Sequence, residues 1–411
     1  MILLTLLIFS LIVSTAYTKN LRRSVTNAPR TGTSPTQQSS LPNAQFPKVS
    51  VIVPAYNEAE NIRDCAIAIL ESTRLSVDKL EVLIVDDRST DDTLAIAQTL
   101  QQQLNDPRLK ILAGQARPAN QYWAGKNWAC AEAVQVATGD FLLFIDADVR
   151  LKLGAIETAI ATVETEKIDL LTCMPALVCD CFAEWLVQPL MFNHLAVCFD
   201  FTAVNDPTTD SAFAAGPFML FRRSAYDKIG GHAAVAAEIV EDVELSRRIK
   251  RAGLKLALYA GSNLAFVRMY RSWSALWEGW TKNLYLGANR SWGMMVYMAA
   301  IMLFLYPIPW LALAILLANG EIANIITNYQ LPITNYQLPI TLLTICFSIF
   351  VIWQQYNLRR LGAEISDCST KYWWLGGLGG TLVAAIAIGS AIKTETGWGW
   401  TWRGRALQIK S

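Results

Sequence analysis

The chain is short of histidine, with two, His194 and His232, in 411 residues. That scarcity leaves little for a Cys/His zinc centre, although Cys179 and Cys181 stand close together in "VCDCF". The eight cysteines fall at irregular spacings with no C-x-x-C pair. This argues against a disulfide framework and for a reducing, cytosolic setting. Net charge is lacking too. The 35 Lys and Arg against 34 Asp and Glu leave +1, so no global basic field points to nucleic acid. Glycine is missing from "VPAYNEAEN", which denies the chain the Gly-rich phosphate loop that a soluble nucleotidyltransferase would need after its first strand.

Apolar sequence is abundant. Hydrophobic residues make up 53% and mean hydropathy is +0.28, yet 17% are charged, too many for membrane spans alone. A soluble domain with added membrane segments fits this balance. "MILLTLLIFSLIVSTAY" opens the chain with no charge before its apolar core, and Lys19, Arg22 and Arg23 follow it. A cleaved signal has the reverse order, so residues 1–18 read as a membrane anchor with a cytoplasmic C-terminal flank. Ser14-Thr15-Ala16 is a passable cleavage site and keeps the signal-peptide alternative open. Residues 19–47 read as a linker, polar from Ser24 onward and expected to be disordered.

From Lys48 strands and helices alternate. "VSVIVP", "LEVLIVDD", "LKILAG" and "FLLFIDAD" are apolar on both faces. Between them "EAENIRDCAIAILEST", "STDDTLAIAQTLQQQ" and "GKNWACAEAVQVATG" carry helical spacing, with Ser89 or Thr90 as the expected N-cap of the second. The alternation predicts an α/β domain whose mainly parallel sheet is covered by helices, with ligands beyond the carboxyl ends of the strands. Acidic residues collect at those ends. Glu58 follows the first strand, Asp86 and Asp87 the second, Asp146 and Asp148 the fourth, and Glu241 and Asp242 precede a helix. Two carboxylates in a D-x-D can share one hard divalent cation together with substrate phosphates, although a solvated turn would give the same short pattern. Glu241 and Asp242 would also suit a helix dipole as plain first-turn acids, and Lys126 could be a surface lysine.

Taken together, "VSVIVPAYNE", "LEVLIVDDRSTDDT", "AGKNWACAEAV", "GDFLLFIDADV", "AAGPFMLFRRSAYDKIGG" and "EIVEDVELSRRIKRAG" resemble a membrane-associated family 2 glycosyltransferase with the GT-A fold, a Rossmann-like nucleotide-sugar-binding domain. The likeness covers Lys48 to about Arg290. "YRSWSALWEGWTKNLYLG", the later apolar spans and the closing "WRGR" resemble members acting on lipid acceptors, some in carotenoid or hopanoid glycosylation. The resemblance implies roles for particular residues. Pro54, Ala55, Tyr56 and Glu58 would line the nucleotide pocket. Asp86 or Asp87 would accept from a uracil or guanine N–H. Gly125 and Lys126 would lie by the nucleotide, Lys126 near the diphosphate, Asp146 and Asp148 would hold Mg2+ or Mn2+ on that diphosphate, and Asp242 would be the general base beside Glu241. His232 would either approach the diphosphate or sit in a solvated loop.

The chemistry suits those roles. A nucleoside diphosphate leaving group gathers negative charge, which a divalent cation offsets, and a hydroxyl acceptor needs a carboxylate to take its proton. The expected partners are therefore a UDP- or GDP-sugar donor and a membrane lipid acceptor. The Q-x-x-R-W signature of processive synthases is missing, since "SRRIKRAG" follows Asp242, which disfavours a polysaccharide synthase. A catalytically silent nucleotide-sugar-binding protein is disfavoured by the presence of Asp146, Asp148 and Asp242.

The expected catalytic domain spans 48–270, followed by a helix at 271–291. Trp273, Trp277 and Trp280 share one face of that helix, which suits either the membrane interface or the core. Residues 292–393 hold two or three apolar spans, one kinked at Pro307 and Pro309, and a basic tail covers 394–411. A tandem "ITNYQLP" repeat at 326–339 suggests a loop without function. The charges conflict over topology. Arg359 and Arg360 place their flank inside, and three full crossings would put the tail outside, whereas Arg403, Arg405 and Lys410 favour inside. A re-entrant segment, or a Gly-rich segment that fails to cross, would resolve this. An integral membrane protein with its catalytic domain in the cytoplasm is the expected arrangement.

Overall fold

The computed structural model describes residues 2–32, 46–118, 121–320 and 337–407. Helix α1 (Ile2–Thr26) is followed by the catalytic domain in the order β1 (Val49–Ala55), α2 (Ile62–Glu71), β2 (Leu80–Asp86), α3 (Thr93–Leu104), β3 (Leu109–Ala113), α4 (Gly125–Val136) and β4 (Phe141–Ile145). Next come β5 (Val149–Leu151), α5 (Ala155–Glu166), β6 (Leu170–Met174), β7 (Ala176–Leu177), α6 (Phe182–Cys198), α7 (Phe201–Asn205), β8 (Phe218–Arg222) and α8 (Arg223–Lys228). The domain closes with α9 (Glu241–Arg251), β9 (Leu256–Ala260), β10 (Ala265–Val267) and α10 (Trp273–Gly287). Helices α11 (Trp292–Leu305), α12 (Pro307–Ala318), α13 (Gln337–Ser366) and α14 (Gly376–Thr396) precede a small hairpin of β11 (Thr401–Trp402) and β12 (Arg405–Ala406).

The main sheet runs β3-β2-β1-β4-β8-β6-β9. β8 alone is antiparallel to its neighbours, so the sheet is mainly parallel, as expected for the GT-A fold. All seven residues of β1 and of β2 are buried, because helices cover both faces. In the β1–β2 register Ala55 stands opposite Asp86, which sets the first two acidic turns side by side. A second sheet, β5-β10-β7, braces the segment just after Asp148.

Several boundaries differ from the sequence-based expectation. α1 continues to Thr26, eight residues past the expected end of the anchor at 18, because its last turns pack on the domain. There Ser24 donates to the Ala196 carbonyl and Arg23 pairs with Asp200. The linker expected at 19–47 is thus helical at its start, and its residues 33–45 lie outside the described residues, as do 326–336 of the heptapeptide repeat and Lys410. α3 begins at Thr93, not after Ser89 or Thr90. Those two hydroxyl residues engage Asn57 instead, with Ser89 Oγ accepting from the Asn57 N–H and the Thr90 N–H donating to Asn57 Oδ1. The chain breaks at Tyr306 and bends by 41° between α11 and α12. Gln355 of α13 caps the break, donating to the Leu305 and Tyr306 carbonyls; Pro309 has no N–H to offer the Leu305 carbonyl four residues earlier.

α1, residues 338–366 of α13, and the segment 373–396 containing α14 are each long and apolar enough to cross a membrane, as is the bent α11–α12 pair taken as one. α14 nevertheless keeps both ends on the catalytic domain. Gly379 packs directly against the Leu186 carbonyl of α6. Near the other end Ser390 Oγ donates to the Thr281 carbonyl of α10, and Glu395 pairs with Arg290. The Gly-rich segment therefore packs along the domain, and the hairpin beyond it reaches Tyr56, Glu58 and Asp87. The charge pattern alone leaves the side of the tail open. Of the three tryptophans of α10, Trp280 is buried and donates to Gln188, Trp277 is half-buried and Trp273 is exposed.

Candidate active site

β1 ends at Ala55 and the chain turns sharply through Asn57, whose φ of 54° lies in the left-handed region that asparagine tolerates better than most residues. This turn aims Glu58 back over the sheet edge. Asp87 follows β2, and Asp146 and Asp148 follow β4. The N-terminus of α9 brings Glu241 and Asp242 from the opposite side. One cavity of about 940 Å3 collects Pro54, Ala55, Tyr56, Glu58, Asp87, Gly125, Lys126, Asp146, Asp148, Glu241 and Asp242. Of the residues singled out from the sequence for this site, Asp86 is set apart. It is buried behind the cavity, where its Oδ2 accepts from the Ser89 N–H, so Asp87 is the carboxylate of the pair that lines the cavity. His232 neither lines the cavity nor sits in solvent. Its ring is fully buried against Phe144 and bonded to the Tyr226 hydroxyl. Burial lowers it to about 3, so it stays neutral.

Lys126, on the first turn of α4, bridges the two acid clusters, with Nζ 2.7 Å from Asp146 and 2.8 Å from Glu241. Burial opposes its charge, but Asp146, Glu241 and Asp242 outweigh that and hold it well above the usual lysine range. Asp242 accepts from the Gly216 N–H at 2.9 Å and from its neighbour Val243 at 2.8 Å. Burial, reinforced by Glu241, lifts it to about 7, where a carboxylate can exchange protons near neutrality. Burial likewise raises Glu58 and, more strongly, Asp148.

Among the described residues no three His, Cys, Asp or Glu side chains cluster closely enough to hold a metal by themselves. Asp148 Oδ1 is buried without a hydrogen-bond partner, and its charge is poorly compensated. An orphaned carboxylate oxygen beside Asp146 fits a divalent cation whose remaining ligands come from substrate phosphates and water.

The sequence reading missed the part played by the C-terminal hairpin. Arg403 pairs with Glu58 at 2.8 Å and donates to the Tyr56 and Asn57 carbonyls. Arg405 pairs with Asp87 and stacks on the Tyr56 ring at 3.7 Å. Arg117 reaches the same Asp87 oxygen at 2.7 Å. Glu278 of α10 anchors the hairpin by accepting from Thr401 Oγ1 and the Arg403 N–H. The sequence offered "WRGR" as part of a likeness to members acting on lipid acceptors and as charge near a membrane segment, but not as a partner of the first strand. The contact with the first strand depends on α14 folding back.

Part of the cavity wall is apolar. Phe192, Leu195 and Phe199 from α6 and just beyond it, Phe213, and Met294 and Met298 from α11 line it. The same void thus joins a charged pole at the sheet edge to an apolar wall made partly by a candidate membrane helix.

Comparison with known proteins agrees with this architecture. Residues 50–230 match the model of glycosyl transferase family 2, and residues 141–386 that of glycosyl transferase family group 2. A 4,4'-diaponeurosporenoate glycosyltransferase of Staphylococcus haemolyticus is 28% identical over 59% of this chain and 62% of its own length. One from Staphylococcus aureus strain MRSA252 is 29% identical over 64% of this chain and 67% of its own. The matched stretch thus spans about two thirds of those relatives or less. A mannosyltransferase from Pyrobaculum calidifontis, solved with GDP-Man and Mn2+, aligns over 97% of this chain and 99% of its own with a TM-score of 0.52 at 16% identity, which shows a shared fold.

Proposed function

This chain belongs to the family 2 glycosyltransferases, and from that premise we propose that it moves a hexose from a UDP- or GDP-sugar to a lipid acceptor at the membrane face, with inversion at the anomeric carbon. The observation that carries this reading is the single cavity with a charged donor pole and an apolar pole. A polar acceptor would not need Phe192, Phe213 and Met298 on the path to Asp242. The relatives named for carotenoid glycosylation support the same acceptor class.

In this reading Tyr56, Asp87 and Arg405 hold the nucleoside end, while Lys126 and Arg403 face the diphosphate. Asp146 and Asp148 would hold a divalent cation, which offsets charge on the leaving diphosphate. Asp242 accepts the proton of the attacking hydroxyl. The new bond to the anomeric carbon forms as the bond to the β-phosphate oxygen breaks, so one displacement inverts that centre. Lys126 ties Asp146 to Glu241 and keeps the donor and acceptor halves in register. Lipid profiling of a host with and without this gene tests the proposal. Loss of one hexosylated lipid with build-up of its aglycone is expected, and an unchanged lipid profile with altered surface polysaccharide would refute it.

A further inference from the structure

The C-terminal hairpin turns in two residues, Arg403 and Gly404, with Trp402 opposite Arg405. Both turn residues have positive φ, 48° and 82°. Such a turn favours Asn-Gly or Gly-Gly, so an arginine at its first position works against its own backbone preference. A residue in that state stays there only when its surroundings hold it. The Arg403 guanidinium pairs with Glu58 at 2.8 Å and donates to the Tyr56 and Asn57 carbonyls. Its N–H donates outside the hairpin, to Glu278 Oε2 at 3.2 Å. The other oxygen of Glu278 accepts from Thr401 Oγ1 at 2.5 Å. One turn further along α10, Lys282 Nζ lies 3.9 Å from the centroid of the Trp402 ring. Two side chains four residues apart, on one face of α10, thus grip residues 401–403 in succession.

Glu278 does not itself line the cavity, whereas Arg403 does. What Glu278 contributes at the site therefore passes through the hairpin. Its carboxylate meets the backbone of the residue whose conformation decides where that guanidinium points. If Arg403 relaxed to negative φ, its Cβ would swing round and the side chain would leave Glu58 and the carbonyls at the end of β1. Arg405 has separate supports in Asp87 and the Tyr56 ring. We propose that Glu278 is a positioning residue for donor binding, which holds the strained turn so that Arg403 presents its guanidinium to the donor diphosphate. This rests on the donor reading above and adds to it a residue outside the cavity.

The test measures nucleotide affinity by calorimetry, with the full chain in detergent and Mn2+ present, using UDP and GDP beside UMP and GMP. In the donor reading Arg403 serves the diphosphate and Arg405 the nucleoside, so the two kinds of nucleotide separate them. Glu278→Ala is expected to weaken the diphosphate about tenfold and the monophosphate by less than about twofold. Glu278→Gln keeps an oxygen to accept the Arg403 N–H and should restore most of the lost affinity. Arg403→Ala should show the same selective loss, and adding Glu278→Ala to it should cost nothing further. Unchanged diphosphate affinity in Glu278→Ala would overturn the proposal, and so would losses that add in the double variant or that Glu278→Gln fails to restore. An equal loss for mono- and diphosphate would also overturn it, because the whole hairpin, Arg405 included, would then have come away. The donor reading fails separately, if the native chain binds neither UDP nor GDP.

Discussion

Arg403 and Glu58 form an ion pair at 2.8 Å that ties the C-terminal hairpin to the end of the first strand. Both side chains are largely shielded from water, at 23% and 13% exposure, so removing one strands the other. Arg403→Ala should leave Glu58 as an unpaired carboxylate facing the donor phosphates. We expect UDP or GDP affinity in the presence of Mn2+ to fall by about ten- to a hundredfold, read by calorimetry. An unchanged affinity would reduce the hairpin to a packing element.

Asp242 sets the pH dependence. Its folded pKa of about 7 lies above the value of an unfolded aspartate, because burial and Glu241 penalise the charged form. As a base it works only when deprotonated, so kcat/KM should rise with pH and level off above about 7. The linkage to stability has the opposite direction. A raised pKa means that the folded state holds the proton more tightly, so this group's contribution is fully present below the unfolded value and is lost as pH climbs to about 7. Asp242→Asn should therefore reduce transfer by about 10²–10⁴-fold while raising thermal stability at pH 8 relative to the native chain. A variant with normal turnover would remove Asp242 from the base role.

The sheet and its acids were legible because periodicity and strand-end position are local properties. "FLLFIDAD" announces a buried strand and its two acids without help from the rest of the chain. Arg403 was not legible as a site residue, since it gains its meaning from a partner brought by tertiary folding. The Arg403–Glu58 contact exists only because α14 keeps both ends on the domain. His232 was misread for a related reason. "GGH" suggests a loop, and only the packing of Tyr226 and Phe144 around the ring makes it core.

Asp148 should govern metal dependence. Its unpartnered Oδ1 has no structural hydrogen bond to lose, so Asp148→Asn is expected to leave the fold intact. Mn2+-stimulated nucleotide binding should fall by about tenfold or more, while residual binding in EDTA matches that of the native chain. Retention of the full Mn2+ effect would mean that the cation is held elsewhere.

Gly125 brings the start of α4 close against Asp87. A methyl group there would run into Asp87 Oδ2 and come within 2.8 Å of both Arg117 and Arg405. These three side chains pin one another, so none can yield freely. Gly125→Ala should thus weaken donor binding by about tenfold with little change in the melting temperature, because the disturbed groups line a cavity rather than the core. Equal donor affinity would show that the Asp87 cluster can shift without cost.

The path of α14 makes a prediction about topology. Hydropathy alone would count the segment 373–396 as a crossing and separate the tail from the catalytic domain. The contacts of Gly379 with Leu186, Ser390 with Thr281 and Glu395 with Arg290 bring both ends of α14 back to elements of that domain. A transmembrane position for α14 would break all three and withdraw Arg403 from Glu58. Reporter fusions after Ser411 and cysteine labels at Arg290 should therefore show the same sidedness in intact membranes. Opposite sidedness would mean that the hairpin does not complete the donor site in the membrane-bound enzyme.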